Sequence, residues 1–187
     1  MIVKEVTQKI IADVETLFGS NGACGGCWCQ YWRIEKGEKW DLIKGEDAKH
    51  RLLEGIAEGT IHGALAYLDH APVGWCTFGL RPSFSRLNRS PSFRCDDADQ
   101  VWSVPCFFIK NGFRGKGVAT ALLQFVINLA RKSKVKMLEG YPSKPGKDGK
   151  YVPAFAWTGT QSLFAKAGFV LAGNEDGGKQ RVRLNVK

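Results

Sequence analysis

The sequence has no apolar run near the roughly 18 residues that a membrane-spanning helix requires. Its start, Met1-Ile2-Val3-Lys4-Glu5-Val6, lacks the basic and then apolar stretch of a secretory leader. Membrane spanning and secretion are therefore disfavoured, and a cytoplasmic protein with no membrane partner is expected. Repeats are missing too: the 22 glycines and 7 prolines follow no period and no segment is compositionally simple, which excludes collagen-like, solenoid and wholly disordered chains. There are only three histidines, His50, His62 and His70, all isolated, and no second Cys-x-x-Cys follows the first. What is present is an ordinary soluble composition, 44% hydrophobic and 24% charged over 187 residues. That supports one hydrophobic core and is short for two, so residues 1–187 are expected to form a single domain.

Charge is unevenly placed. Residues 1–100 hold 12 Lys and Arg against 14 Asp and Glu, while residues 101–187 hold 15 against 4, so a net charge of +9 divides into −2 and +11. A basic half of this kind raises the local concentration of anions, whether nucleic acid, an acidic membrane or a polyphosphate cofactor. Without a secretory signal, the six cysteines are expected to be reduced thiols.

Periodicity outlines the elements. Ile10, Ile11, Val14, Leu17 and Phe18 recur at helical spacing between Thr7 and Gly19, and a second amphipathic helix is expected from Gly45 to Glu58. Residues 61–69 and 73–79 are β-rich and read as a hairpin with its turn at His70-Ala71-Pro72. Arg81 to Asp99 reads as loop or short irregular helix. Then comes a sharper pattern: a strand from Val101 to Ile109, a Gly-rich basic turn, a helix with the stripe Val118, Ala121, Leu122, Phe125, Val126 and Leu129, and a strand from Val135 to Tyr141. Such a strand, helix, strand unit forms a parallel pair with a right-handed crossover. A Lys-, Pro- and Gly-rich loop over 142–156, a short helix near 159–167 and strands near 169–172 and 180–186 complete the chain.

The turn Asn111-Gly112-Phe113-Arg114-Gly115-Lys116-Gly117-Val118-Ala119 carries the chemistry. Its glycines let backbone approach a ligand, and the helix that follows offers unpaired N–H groups and the positive end of its dipole, a combination suited to phosphate. It is not a Walker A loop, because Val118 follows Gly117 where Lys belongs, nor the dinucleotide fingerprint, because Thr120 stands at the third Gly position.

The pattern Arg114-x-x-Gly117-x-Ala119, between an apolar strand and a long helix, resembles the pyrophosphate-binding motif of the GCN5-related N-acetyltransferases: Gln or Arg, two residues, Gly, one residue, Gly or Ala. Ser162-Leu163-Phe164-Ala165-Lys166-Ala167-Gly168-Phe169 resembles that family's later motif, commonly Leu-Tyr-x-Lys-x-Gly-Phe. Together the two cover residues 101–170. The resemblance implies an α/β fold with a mixed, mostly antiparallel sheet, one parallel splayed strand pair and acetyl-CoA between the two strands. Pro105, mid-strand, suits such an open seam because it has no amide to donate.

The implied activity is acetyl transfer from acetyl-CoA to a primary amine by direct attack, with no metal and no nucleic acid. Phe107, Phe108 and Ile109 would grip the pantetheine arm. Arg114, Gly115, Lys116, Gly117, Val118, Ala119 and Thr120 would hold the pyrophosphate, which accounts for the basic half. Phe164 stands where the family often has a Tyr that protonates the departing thiolate, so Tyr141 or Tyr151 is a substitute acid. A thiol with a pKa of roughly 8.5 leaves fairly well unaided. Glu139 is the first candidate base, ahead of Asp97, Asp99 and a water relay. Trp28, Tyr31, Trp32 and Arg33 are expected to wall the acceptor site, where the acceptor is a small-molecule or peptide amine; a homodimer is left open.

Cys24-Gly25-Gly26-Cys27-Trp28-Cys29 begins with metal-ligand spacing but lacks an evident fourth ligand, so buried or cleft-lining thiols are expected ahead of zinc or a redox pair. Two other readings stay open: a coenzyme-binding protein of this fold without turnover, and a nucleic-acid module using the Lys-rich loop with Phe113, Tyr141 and Tyr151 as stacking platforms.

Overall fold

A computed structural model describes residues 1–146, 149, 151, 153–173 and 180–186. The elements run β1 (Ile2–Glu5), α1 (Ile11–Phe18), α2 (Trp40–Ile43), α3 (Glu46–Ala57), β2 (His62–Leu68), β3 (Ala71–Leu80), α4 (Ser85–Arg89), β4 (Val101–Ile109), α5 (Val118–Lys132), β5 (Met137–Gly140), α6 (Gln161–Lys166), β6 (Val170–Leu171) and β7 (Val182–Asn185). The strands form one sheet in the order β1-β2-β3-β4-β5-β7-β6. Every neighbouring pair is antiparallel except β4 and β5, as the expected fold class requires. No described helix is long and apolar enough to cross a membrane.

The sheet separates two apolar layers, and the alternation of side chains along its strands feeds both. On β3, Trp75 packs with Val14, Leu17, Phe18, Leu52 and Ile56 of α1 and α3, whereas Cys76 and Phe78 join Val118, Leu122, Leu123, Val126 and Ile127 of α5. Gly63 makes this packing possible, because a Cβ there would sit 2.0 Å from the Trp75 ring. The buried stripe of α5 is Val118, Leu122, Leu123, Val126, Ile127 and Ala130. Ala121, Phe125 and Leu129, expected on that stripe, are only half-buried and lie at the edge of the buried face.

Two local readings are corrected. The hairpin turns at Asp69-His70, with φ of 48° and 66°, and not at the proline. A two-residue turn with both φ positive matches the twist of the flanking strands, and Pro72, held at negative φ, lies within β3 opposite Tyr67. The chain's first residues, assigned no element by periodicity, form β1 at the sheet edge, where Lys4 and Glu5 face solvent.

β4 is the strand that builds the site. Its pairing with β5 covers only Val101 to Val104, opposite Met137 to Gly140, while on its other side it pairs with β3 as far as Ile109. From Pro105 onward the β5 side of β4 is open. Proline at the point of separation leaves no amide stranded there, and its carbonyl accepts from Trp32 Nε1 at 3.1 Å.

Candidate active site

The open side of β4, the turn after it and the first residues of α5 enclose a cavity of about 670 Å³. Phe107, Phe108, Ile109, Arg114, Gly115, Gly117, Val118, Ala119 and Thr120 line it, so nine of the ten expected coenzyme residues come together. The tenth, Lys116, is exposed, lies outside the lining and holds Nζ 5.4 Å from the centre of the Phe113 ring. Gly117 caps α5 in the left-handed region at φ 80°, and nothing lies within 4 Å of where its Cβ would be. The first helical bond runs from Ala121 N to Gly117 O, so the amides of Val118, Ala119 and Thr120 have no intrahelical acceptor. Arg114 at one side and Lys166 at the other add positive charge to that helix end. This donor set fits a pyrophosphate, and the unpaired edge of β4 fits an extended amide-bearing arm.

A second cavity, of about 690 Å³, continues from the first; Ala23, Cys24, Phe107, Phe108 and Trp157 line both. Its walls are largely aromatic. Tyr31 stands nearly perpendicular to Trp32, Trp40 and Trp157, with ring centres 5.2, 5.6 and 5.4 Å away. Cys27, Cys29 and Cys106 supply thiols to the lining, and Ser143 and Lys144 its polar rim. The side-chain hydrogen bond with Cys29, together with burial, pushes the Cys27 thiol far up, and burial does the same for Cys29. Both are therefore protonated at neutral pH.

Of the four residues expected on this wall, only Tyr31 and Trp32 line it. Trp28 is turned away at positive φ into the core, 5.2 Å from Phe18. Arg33 lies behind the wall, stacked 4.2 Å from Phe84 with its guanidinium donating to Ser83 O and Thr77 Oγ1, and burial lowers its pKa to about 10. Trp40, Trp157 and Cys106 take their places. No motif marks these three, although the alternation of β4 puts Cys106 on the face opposite Phe107, and Trp157 directly follows the Lys-, Pro- and Gly-rich loop over 142–156.

The candidate acid and base lie elsewhere. Glu139 is fully buried and lines neither cavity. Its Oε1 accepts from Arg81 Nη1 and, at 2.6 Å, from the Tyr141 hydroxyl; its Oε2 accepts from Arg183 Nε at 2.6 Å and Arg181 Nη1 at 3.4 Å. Of the two facings open to a strand residue, β5 gives Glu139 the one away from the cleft. Tyr141 is equally buried, bonded to Ser103 Oγ at 2.7 Å as well, and burial followed by the Glu139 charge drives its pKa well up. Asp97 is clamped by both terminal nitrogens of Arg183 at 2.8 Å, and Asp99 lines a separate cavity of about 270 Å³. Phe164 is core, packed on Phe107 and Phe169. Of the candidate acids and bases, only Tyr151 lines the first cavity; its hydroxyl accepts from Gln161 N at 3.3 Å.

Similarity to known proteins agrees with this geometry. The chain is similar over 99% of its length to the PaiA N-acetyltransferase of Thermoplasma acidophilum, solved with coenzyme A, at 12% identity, 99% coverage of that chain and a TM-score of 0.58. It is likewise similar to an N-acetyltransferase of Staphylococcus aureus, at 14% identity, 100% and 98% coverage and a TM-score of 0.57. A GNAT superfamily phosphinothricin acetyltransferase of Sinorhizobium meliloti, solved with acetyl-CoA, aligns at 13% identity, 99% and 88% coverage and a TM-score of 0.57. Among curated proteins none matches. The family model for the Acetyltransferase (GNAT) family matches residues 28–143, from the aromatic wall through β5, and the chain belongs to that family.

Proposed function

We propose that this chain transfers an acetyl group from acetyl-CoA to a primary amine by direct attack within a ternary complex, on an acceptor whose apolar, flat body enters the aromatic cavity. The carrying observation is that two cavities adjoin at Phe107, Phe108 and Trp157, one walled by a helix amino terminus and the other by tryptophans. A thioester held along β4 would reach that junction. The amides of Val118, Ala119 and Thr120 bind the pyrophosphate, the open edge of Phe107 to Ile109 holds the pantetheine arm, and the junction sets the angle of attack. A β4 amide facing the thioester oxygen stabilises the charge that develops there.

The described lining of the acceptor cavity holds no carboxylate, and its buried thiols are protonated. The attacking nitrogen is accordingly proposed to arrive neutral and lose its proton to water after the C–N bond forms, with positioning the main source of rate. Tyr151 is the remaining side-chain acid for the thiolate. Glu139 and Tyr141 act in the fold, through the arginine cluster they complete.

Phe164 in the core and the locked Glu139 favour a second reading, a protein that binds the coenzyme without efficient turnover. Isothermal titration with acetyl-CoA followed by steady-state thioester cleavage over a panel of amines separates the two. The enzyme reading expects micromolar binding and amine-dependent release of coenzyme A, strongest for amines with an apolar ring. Binding without release by any amine supports the second, and no binding overturns both.

A further inference from the structure

The acceptor cavity carries a group that acyl transfer does not use. Cys24, Cys27 and Cys29 lie within six residues, and folding brings Cys106 of β4 to the same wall although it is 77 positions from Cys29. The Sγ atoms of Cys29 and Cys106 are 2.8 Å apart. Access along the cavity is graded: Cys24 is exposed, Cys27 half-buried, Cys29 and Cys106 buried. Among the described residues no set of three or more His, Cys, Asp or Glu is placed to hold a metal ion. Cys76, buried under α5, and Cys95, beside the arginine cluster, line neither large cavity, so the thiols that do so form a separate set.

Two thiols in contact, lining a chamber large enough to admit a small oxidant, are set to oxidise against each other. We propose that Cys29 and Cys106 form a reversible disulfide when a hydroperoxide enters through the acceptor cavity. In the first step the sulfur of one thiol attacks the peroxide. An S–O bond forms as the O–O bond breaks, and the thiol proton leaves with the departing alkoxide as an alcohol. In the second, the other sulfur attacks the sulfenic acid, the S–S bond forms, and the displaced hydroxide takes the second thiol proton and leaves as water. Sulfur is oxidised by two electrons over the pair and the peroxide is reduced by two. The product ties the cysteine-rich turn to β4, joining two walls of one chamber, and brings the sulfurs from 2.8 Å to the roughly 2.05 Å of an S–S bond. Because burial keeps Cys29 protonated, the reaction is slow, and it is read as a time course.

The site does not rest on the acyl-transfer reading, and its test needs no activity. Purified protein is treated with hydrogen peroxide, alkylated and digested without reductant, and the peptides are mapped by mass. The expected product is a Cys29–Cys106 cross-linked peptide, a loss of two hydrogens from the intact mass, and full reversal by a dithiol. Cys24→Ser keeps the cross-link and Cys106→Ser abolishes it; should Cys106→Ser fail to fold, the wild-type map decides alone. A cross-link joining Cys24 to Cys27, or Cys29 and Cys106 still both alkylated after Cys24 has been fully oxidised, overturns the proposal.

Discussion

Glu139 shows what a single buried charge does when every lone pair it offers is taken. Arg81 and Tyr141, both fully buried, occupy one carboxylate oxygen, and the partly buried Arg183 and Arg181 the other. Removing one member of such a cluster leaves buried cations uncompensated. Glu139→Gln should therefore lower stability to denaturant by about 3–5 kcal/mol while leaving acetyl-CoA affinity in the surviving folded fraction unchanged. A variant that folds normally but loses turnover would instead return Glu139 to the chemistry. The nearby Asp97 gives a pH signature. Hydrogen bonds from Arg183 hold its carboxyl at about 2, down from an ordinary 3.8. The depressed value means the pair contributes in full above the ordinary value and loses its contribution as pH falls from there through about 2. Melting temperature followed across that window should show the wild type's advantage over Asp97→Asn shrinking to nothing; since the Asp97 side chain is 41% exposed, the advantage at neutral pH is small.

At the scale of elements, β4, the turn and α5 are the part most legible in the sequence. An apolar run, a glycine with a special backbone angle and a helical stripe are all local signals, and here each is honoured by the fold. Gly117 is the hinge of the set. Gly117→Val forces a β-branched residue to φ near 80°, at a cost of about 1–3 kcal/mol, or turns the amides of Val118 to Thr120 off their target. Titration with acetyl-CoA should show at least a roughly tenfold loss of affinity. What periodicity could not deliver was long-range placement. The facing of Glu139 depends on strand register, the burial of Trp28 on a positive-φ backbone, and the removal of Arg33 from the cavity on α4 and its Phe84 neighbour. Trp40 and Trp157 come from segments 117 residues apart, and each packs edge-on against Tyr31. Residues 147, 148, 150 and 152 of the Lys-, Pro- and Gly-rich loop over 142–156 lie outside the described residues.

For the whole molecule, the division of charge has a measurable consequence. The described lining of the cavity beside α5 carries Arg114 and Lys166 and no carboxylate, so a polyphosphate bound there meets positive charge that salt partly screens. Raising sodium chloride from low to high concentration should weaken acetyl-CoA binding by roughly three- to tenfold, with little effect on an uncharged pantetheine analogue. Equal losses for both ligands would mean that the phosphates do not sit at the α5 terminus.

The two chambers that share Phe107, Phe108 and Trp157 also define a molecular ruler. A compound joining a pantetheine tail to an aromatic amine would occupy both at once, forfeiting its freedom of tumbling a single time and placing each half at high effective concentration for the other. Tether length then becomes the variable that matters: too short and one end is pulled from its chamber, too long and the gain decays, so a graded series of such conjugates would measure, in solution, how far the helix terminus lies from the tryptophan wall.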